Sequence, residues 1–450
     1  MRRAIGRRAA LLGAAGFLAG CDTVTDVTER ILGTNKVPLP GERLPVLGVQ
    51  RTLEADPQAR ERAFSLPEPQ LNDSWVVAGG TPDHAPGHLA LPGPLREAWR
   101  ASIGSGSAYR QRLTAPPLVA GETVFAMDAF GWVTALDVQR GNRRWQTDTR
   151  PRQEREGALG GAMAFHEGTL YVATSLSEIM ALDPGTGEIR WRAPMPSPAR
   201  GGLAVAGDRL MVPNIDNHLV GFATEDGRRV WTFRATPVQA LMVGQPSPAV
   251  QGDIAVAAFA SGEVVGVRPT DGRLLWNESL GGLRGAASLA DIPAVTALPV
   301  VDRGRVFAMG LGGAATSLDL RSGRRVWERD IGGMVTPAVV GDWVFMLSRE
   351  DELFCLGRDD ARIRWITQLP TFENEARRTG PITWGPPVVA GGRVLVAGSH
   401  GQLLDIDPSS GEIGNRLRLP AGVTLQPAVA GGTAFLLSNG GSIVALRGTG

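Results

Sequence analysis

The chain has 450 residues, 43% of them hydrophobic, and Gly 59 with Pro 32 make up about a fifth of it, a turn-rich composition with enough apolar matter for a core. Formal net charge is +1, and Lys36 is the only lysine, which leaves the main body without a Schiff-base or P-loop lysine and without a basic stripe for nucleic acid.

The first predicted element is an address. Arg2, Arg3, Arg7 and Arg8 precede an apolar, small-residue run from Ala9 to Gly20, which is too short for a bilayer core that needs about 20 residues and suits a signal peptide. Leu18, Ala19, Gly20 and Cys21 look like a lipobox, so residues 1–20 read as a cleaved leader and Cys21 as the lipid anchor. Once those arginines leave, 42 basic residues face 45 acidic ones, a charge of about −3. Cys355, in the strand-like "ELFCLG", is then the sole remaining thiol, which rules out an intramolecular disulfide and reads as a core cysteine.

Residues 21–74 form a proline-scattered stretch with little apolar periodicity and read as a tether. The folded body is expected from residue 75 to 450, and it is repetitive. "LDPGTGEIRW", residues 182–191, has counterparts ending at Trp145, Trp231, Trp276, Trp327 and Trp365, while "IDPSSGEIGN" keeps the turn and places Asn415 at the tryptophan position. With Trp99 in "LREAWRASIG" as the first member, the steps are 46, 46, 40, 45, 51, 38 and 50 residues.

Each unit offers four short strands in about 45 residues, the content of a β-propeller blade. Gly stands four residues before the last-strand position in six of the seven internal units and is replaced by Ala361 in the other, which suits a turn that needs positive φ. Trp99, Trp145, Trp191, Trp231, Trp276, Trp327 and Trp365 are read as structural, each offering a flat apolar face to a neighbouring blade. The C-terminal "PAVAGGTAFLLSNGGSIVALRG" supplies three strands and lacks a fourth, which "LREAWRASI" would complete. The fold class is therefore all-β: an eight-bladed propeller whose ring is closed by an N-terminal strand completing the C-terminal blade.

Two lures for enzyme chemistry are weak. Gly310, Gly312 and Ala315 mimic a dinucleotide fingerprint, but a strand follows where a helix would be needed. His84, His166, His218 and His400 are scattered, and His84 and His88 are separated by Pro86 and Gly87, a poor metal geometry. No catalytic, metal or cofactor-binding residue is assigned.

The A-L-D-x-x-(T/S)-G-x-x-x-W pattern over about residues 95–450 resembles the PQQ-type propeller repeat of quinoprotein alcohol dehydrogenases and of BamB lipoproteins. The lipobox, the tether, "NDSWVVAGGTPDHAPGHLAL" and eight units together resemble the BamB family, of the α-proteobacterial type. That resemblance implies a non-catalytic adaptor of the outer-membrane β-barrel assembly (BAM) complex. It would bind the POTRA region of BamA, with unfolded outer-membrane proteins as further clients, and would act as a monomer within that complex.

By the same resemblance two inter-blade loops carry the contact. Leu241 and Met242 match apolar positions of the first, and Asp291 matches the first acid of the second, where Pro293 falls at the second acid's place. The longest insertion, 369–387, with Phe372, Arg377, Arg378 and Trp384, has the composition of a binding loop. Localisation follows as lipid-anchored on the periplasmic face of the outer membrane, although Asp22 after the lipobox resembles an inner-membrane retention signal. A periplasmic protein holding PQQ or a small ligand in the central channel is the alternative reading.

Overall fold

A computed structural model describes residues 53–109, 111–151, 160–199, 201–238, 244, 246–280 and 294–448. Eight four-stranded antiparallel sheets stand around a channel. Seven are continuous in sequence, over residues 118–148, 161–194, 204–234, 249–279, 300–329, 338–368 and 388–418, numbered here as blades 1 to 7. Blade 8 joins Ala428–Ala430, Thr433–Ser438 and Ser442–Gly448 to the N-terminal strand Leu95–Ser102, which pairs antiparallel with Ser442–Gly448. The ring therefore closes as the sequence leads one to expect, with the first strand of blade 8 neighbouring that of blade 1.

Within a blade the chain runs outward from the channel. Second and third strands are buried on both faces, as in Thr123–Met127, because each sheet is sandwiched between two others. Fourth strands face solvent and alternate, as in Leu274–Ser279, where Trp276 is the buried residue that faces in. A bulge sits just before this tryptophan. In blade 2, Trp191 opposes Ala181 while Ile189 opposes Leu182, leaving Arg190 unpaired and turning the indole toward the next blade. The residue opposite each of the seven repeat tryptophans is small: Ala135, Ala181, Gly221, Gly266, Ser317, Cys355 and Ala445.

Each indole docks on the next blade's turn between strands three and four. Its Nε1–H donates to the carbonyl of the turn's second residue: Trp99 to Val138 (3.0 Å), Trp145 to Pro184 (2.9 Å), Trp191 to Thr224 (3.1 Å) and Trp231 to Pro269 (2.8 Å). Trp276 reaches Leu320 (2.7 Å), Trp327 reaches Arg358 (2.8 Å) and Trp365 reaches Pro408 (3.0 Å). The turn itself is closed by an amide-to-carbonyl bond such as Gly187 N–H to Asp183 O, 2.8 Å. The Asp183 side chain caps it, and a hydrogen bond from Arg190, then the amides of Thr186 and Gly185, hold that carboxyl down at about 2. Two demands meet at the turn glycine. Gly411 has φ +78, and a Cβ there would lie 2.6 Å from the Trp365 ring. Ala361 occupies the equivalent site of blade 6 at φ 52, fully buried.

Blade 7 has no such tryptophan because its neighbour has no such turn. Blade 8 takes its fourth strand from the N-terminus, so nothing connects its third and fourth strands. At this seam the tryptophan position is Asn415, hydrogen-bonded to Asp405, which burial pushes above the usual carboxylate range. Arg393 ties the cluster to the N-terminal segment through the carbonyls of Leu91 (2.8 Å) and Gly93 (2.9 Å).

Instead of a tether up to residue 74, residues 54–74 pack on the propeller, a correction to the composition-based boundary. Asp56 caps a short helix, Pro57–Glu61, and donates its amide to Ile363 O of blade 6 (2.7 Å). Phe64 stacks on Trp343 at 5.0 Å, with Arg62 and Arg364 over the same indole. Cys21 and residues 21–52 lie outside the described residues.

The segment then traverses the channel. Trp75 exchanges backbone bonds with Val119 of blade 1, and Val76 O accepts from Phe165 N–H of blade 2. Pro82 and Asp83 accept from Val250 and Val301 of blades 4 and 5, and Leu89 and Asn72 bond to blades 7 and 8. These partners are on or just beyond first strands, whose channel-side edges would otherwise lack them. His84 is buried here, its Nδ1–H donating to Pro299 O at 2.7 Å, and desolvation lowers its pKa to about 4 against the contrary pull of that bond and of Asp83.

Two predictions follow from this packing. Gly207 has φ +53 with nothing within 4 Å of an added Cβ, so Gly207→Ala isolates the backbone cost, about 1 kcal/mol. Gly323→Ala, at φ +68 with only the Trp276 ring within reach of its Cβ, adds the collision with an indole and should cost about 3 kcal/mol by urea denaturation; equal losses would remove the indole contact from the account. For His84 the folded pKa lies below the unfolded value of 6.5, so its stabilising contribution is complete above 6.5 and is lost as pH falls toward 4. Between pH 7 and pH 5 the wild-type chain should lose about 2 kcal/mol from this group, and His84→Gln should flatten the stability–pH curve by that amount.

Candidate functional site

The two ends of the propeller differ. One carries the turns between strands one and two and between three and four, and the N-terminal segment lies across it. The other, the loop face, carries the connections between blades, which contribute most of the wall of a channel cavity of about 440 Å³. Ala78 of the N-terminal segment lines this cavity from the closed end.

Both loops singled out by sequence leave from this face. Residues 235–248 join blades 3 and 4, and 280–299 join blades 4 and 5. Their stems are firmly held. Thr236 N–H donates to Glu263 (2.7 Å), Asn217 Nδ2 donates to Thr236 O (2.7 Å), and Ala235 N–H bonds to Asn217 O (3.2 Å). Burial pushes the Glu263 carboxyl up, but hydrogen bonds from Ser261, Thr236 and Asn277 outweigh it, so the group is held below its ordinary range and stays charged. In the second stem Leu280 N–H bonds to Gly262 O and Val295 N–H to Phe259 O, while Thr296 Oγ1 donates to Met334 O. Leu241, Met242 and Asp291 themselves lie outside the described residues.

The 369–387 insertion contains a small hairpin, Phe372–Asn374 paired with Thr379–Pro381, and its last part, from Ile382 to Pro386, reaches the channel. Arg378 covers the Phe372 ring at 5.4 Å. Trp384, which composition groups with the binding residues, is buried instead; it donates Nε1–H to Pro370 O (2.9 Å), meets His400 edge-on and lines the channel. Tyr109 and Met334 are the large exposed side chains that connections between blades present among the described residues.

Among the residues weighed for chemistry, His84, His88 and Cys355 have structural places. His88 donates from Nδ1 to Pro67 O (2.6 Å) and accepts Gly392 N–H at Nε2 (2.8 Å), so it and His84 serve separate backbone contacts. Cys355 lies under Trp365 in blade 6, and burial pushes its thiol far up, away from thiolate chemistry. Arg349, at the channel mouth, is engaged by Glu350 and Leu311 O. Gln426 and Ala78, which line the channel, were missed by sequence reading; the repeated proline just after Ser247, Leu298, Thr336, Pro386 and Gln426 could have found the first, and nothing local marks the second.

Comparison with known proteins bears on this architecture. A profile described as "Outer membrane protein assembly factor BamB" matches residues 94–159, 129–367 and 371–450. The outer membrane protein assembly factor BamB of Yersinia pestis is 24% identical over 356 residues, covering 78% of this chain and 88% of that protein. Among solved structures, BamB from Moraxella catarrhalis superposes with a TM-score of 0.64 at 17% identity, covering 77% of this chain and 99% of that one. A quinohemoprotein alcohol dehydrogenase from Pseudomonas putida HK5 reaches the same score at 12% identity over 84% and 81%. The two structural likenesses speak to fold alone and agree on the propeller. The profile, whose matched segments span the whole ring from the N-terminal strand to the last, goes further: this chain belongs to the outer membrane protein assembly factor BamB family.

Proposed function

We propose that this chain is a non-catalytic adaptor in outer-membrane protein assembly, held at the periplasmic face of the outer membrane by lipid on Cys21. The observation that carries the reading is the family match over the whole ring. Relatives that bear the assembly-factor name match over most of their own length, as the Yersinia pestis protein does.

The contact with the partner is assigned to the loop face, through Leu241, Met242 and Asp291 against the POTRA region of BamA. The described stems suit such a role. The Glu263 network and the bonds of Leu280 and Val295 fix the points at which both loops depart. A carboxylate at 291 would pair with a partner cation and set register, while the apolar residues of the other loop supply desolvated area. Neither role calls for a cofactor, and none is proposed.

Titration of the full-length protein against the POTRA region of BamA from the same organism tests this. Saturable binding is expected, and Asp291→Arg should weaken it tenfold or more, about 1.4 kcal/mol. Binding that ignores the charge reversal would remove Asp291 from the interface. Absence of binding to a properly folded partner would overturn the function.

A further inference from the structure

The N-terminal segment crosses the propeller on two firm flanks and one thin middle. On the first flank Trp75 and Val77 are buried, and Trp75 exchanges two backbone bonds with Val119. On the second His88, Leu89 and Leu91 are buried, and each ring nitrogen of His88 has a partner. Between Gly80 and His88 a single side chain, His84, is buried. The stretch meets blades 4 and 5 through two further contacts, the carbonyls of Pro82 and Asp83, which accept from Val250 N–H (2.7 Å) and Val301 N–H (2.8 Å). Gly80 at φ +92 and Gly87 at φ +75 stand at its two ends, residues able to absorb a change of chain direction.

His84 fits its place in one protonation state. Its Nδ1–H donates to Pro299 O at 2.7 Å, and Nε2 is buried with no hydrogen-bond partner. A second proton would go onto Nε2, creating an N–H without an acceptor on a charged ring shut away from water. Compensation is incomplete. The Gly79 turn and the start of blade 5 bring backbone to the ring, and Asp83 is the one charged group that acts on it among the described residues. Desolvation outweighs the Pro299 bond and Asp83 together and holds the group at about 4. The residue also keeps a left-handed backbone, φ 61, a strain that opening relieves. His88, with both nitrogens engaged, shows what a titration-proof anchor in the same segment looks like.

We infer that the middle of this segment is an acid-released latch: protonation of His84 frees residues 80–87 from blades 4 and 5, while the flanks stay paired with blades 1, 2 and 7. The freed stretch swings about its two glycines and uncovers the first-strand amides of Val250 and Val301. This local event is distinct from the loss of whole-fold stability that the same titration brings. It rests on the segment alone and stands whether or not the adaptor reading does.

The sign follows from the two proton affinities. The opened stretch binds the proton with the ordinary value of 6.5 and the latched one near 4, so opening is favoured as pH falls below 6.5. From pH 7 to pH 5 the opening equilibrium should rise about twentyfold.

Hydrogen exchange on the full chain carrying Cys21→Ser, at both pH values and in urea below the unfolding transition, separates local from global opening. After correction for the pH dependence of the chemical step, the amides of Val250 and Val301 should lose protection about twentyfold, at a level indifferent to urea. The amides of Val119 and Phe165, bonded to Trp75 O and Val76 O, should stay better protected and yield to urea. In His84→Gln the pH response of Val250 and Val301 should vanish. The inference is overturned if all four wild-type amides share one protection and one urea response at each pH, which would confine His84 to the stability of the ring, or if the twentyfold response survives in His84→Gln.

Discussion

The docking of a tryptophan from one blade into the glycine turn of the next is the contact on which the ring depends. It carries three requirements at once. The third strand must be small opposite the indole, a bulge must turn the indole toward the next blade, and the receiving turn must present a small residue at positive φ, glycine in six turns and Ala361 in that of blade 6. Gly221 shows the first in extreme form, since a Cβ there would lie 2.2 Å from the Trp231 ring. The hydrogen bond from Nε1 then ends on a turn carbonyl that a helix or sheet would otherwise have to satisfy. Because each tryptophan reads its neighbour and not its own blade, the contact is directional, and the blades can follow one another only in one sense around the ring.

That directionality explains an apparent irregularity. Seven tryptophans serve seven turns, and the eighth seam has neither, because the fourth strand of blade 8 arrives from the other end of the chain. Strand exchange closes the ring through hydrogen bonds from Leu95 to Ser102, and Trp99 on that same strand docks into blade 1. The opposite side of the seam is held by Arg393, Asp405 and the carbonyls of residues 91 and 93. Closure therefore uses the N-terminal segment twice, once as a strand and once as an acceptor for Arg393. Its first part, from Asp56 to Leu91, supplies the hydrogen-bond partners that the inner strands lack.

Much of this was legible in the sequence because a repeat places the same demand at the same spacing. Trp145 through Trp365, the turn glycines and the absent partner at Asn415 gave blade number and the manner of closure. What stayed illegible has no period. Phe64 and Leu66 are anchors spaced to fit blade 6 and follow no period of their own, so the stretch containing them reads as tether until Trp343 is seen beside it. Trp384 failed for a related reason: its composition is that of a binding surface, but its partners, Pro370 and His400, are brought to it by the fold. The cavity assembles residues from 78 to 426, a separation that no local pattern encodes.

The same propeller superposes on an assembly factor and on a dehydrogenase with equal scores, so the fold cannot distinguish them. The distinction falls to parts that the blade constraint leaves free. Tryptophan docking fixes the turn end of every blade, and the N-terminal segment covers that end, which leaves connections on the loop face as the places where sequence can vary without opening the ring. Variation there acts in two directions. Outward it shapes a surface, in the loops that depart from the Glu263 stem and in the Phe372 hairpin. Inward it sets the channel wall, where Ser247 and Thr336 are tied between blades and Gln426 is not. Surface and channel are thus built from one set of connections: Thr296, in the stem that follows residue 291 in the chain, lines the channel and donates to Met334 O, which belongs to the next connection.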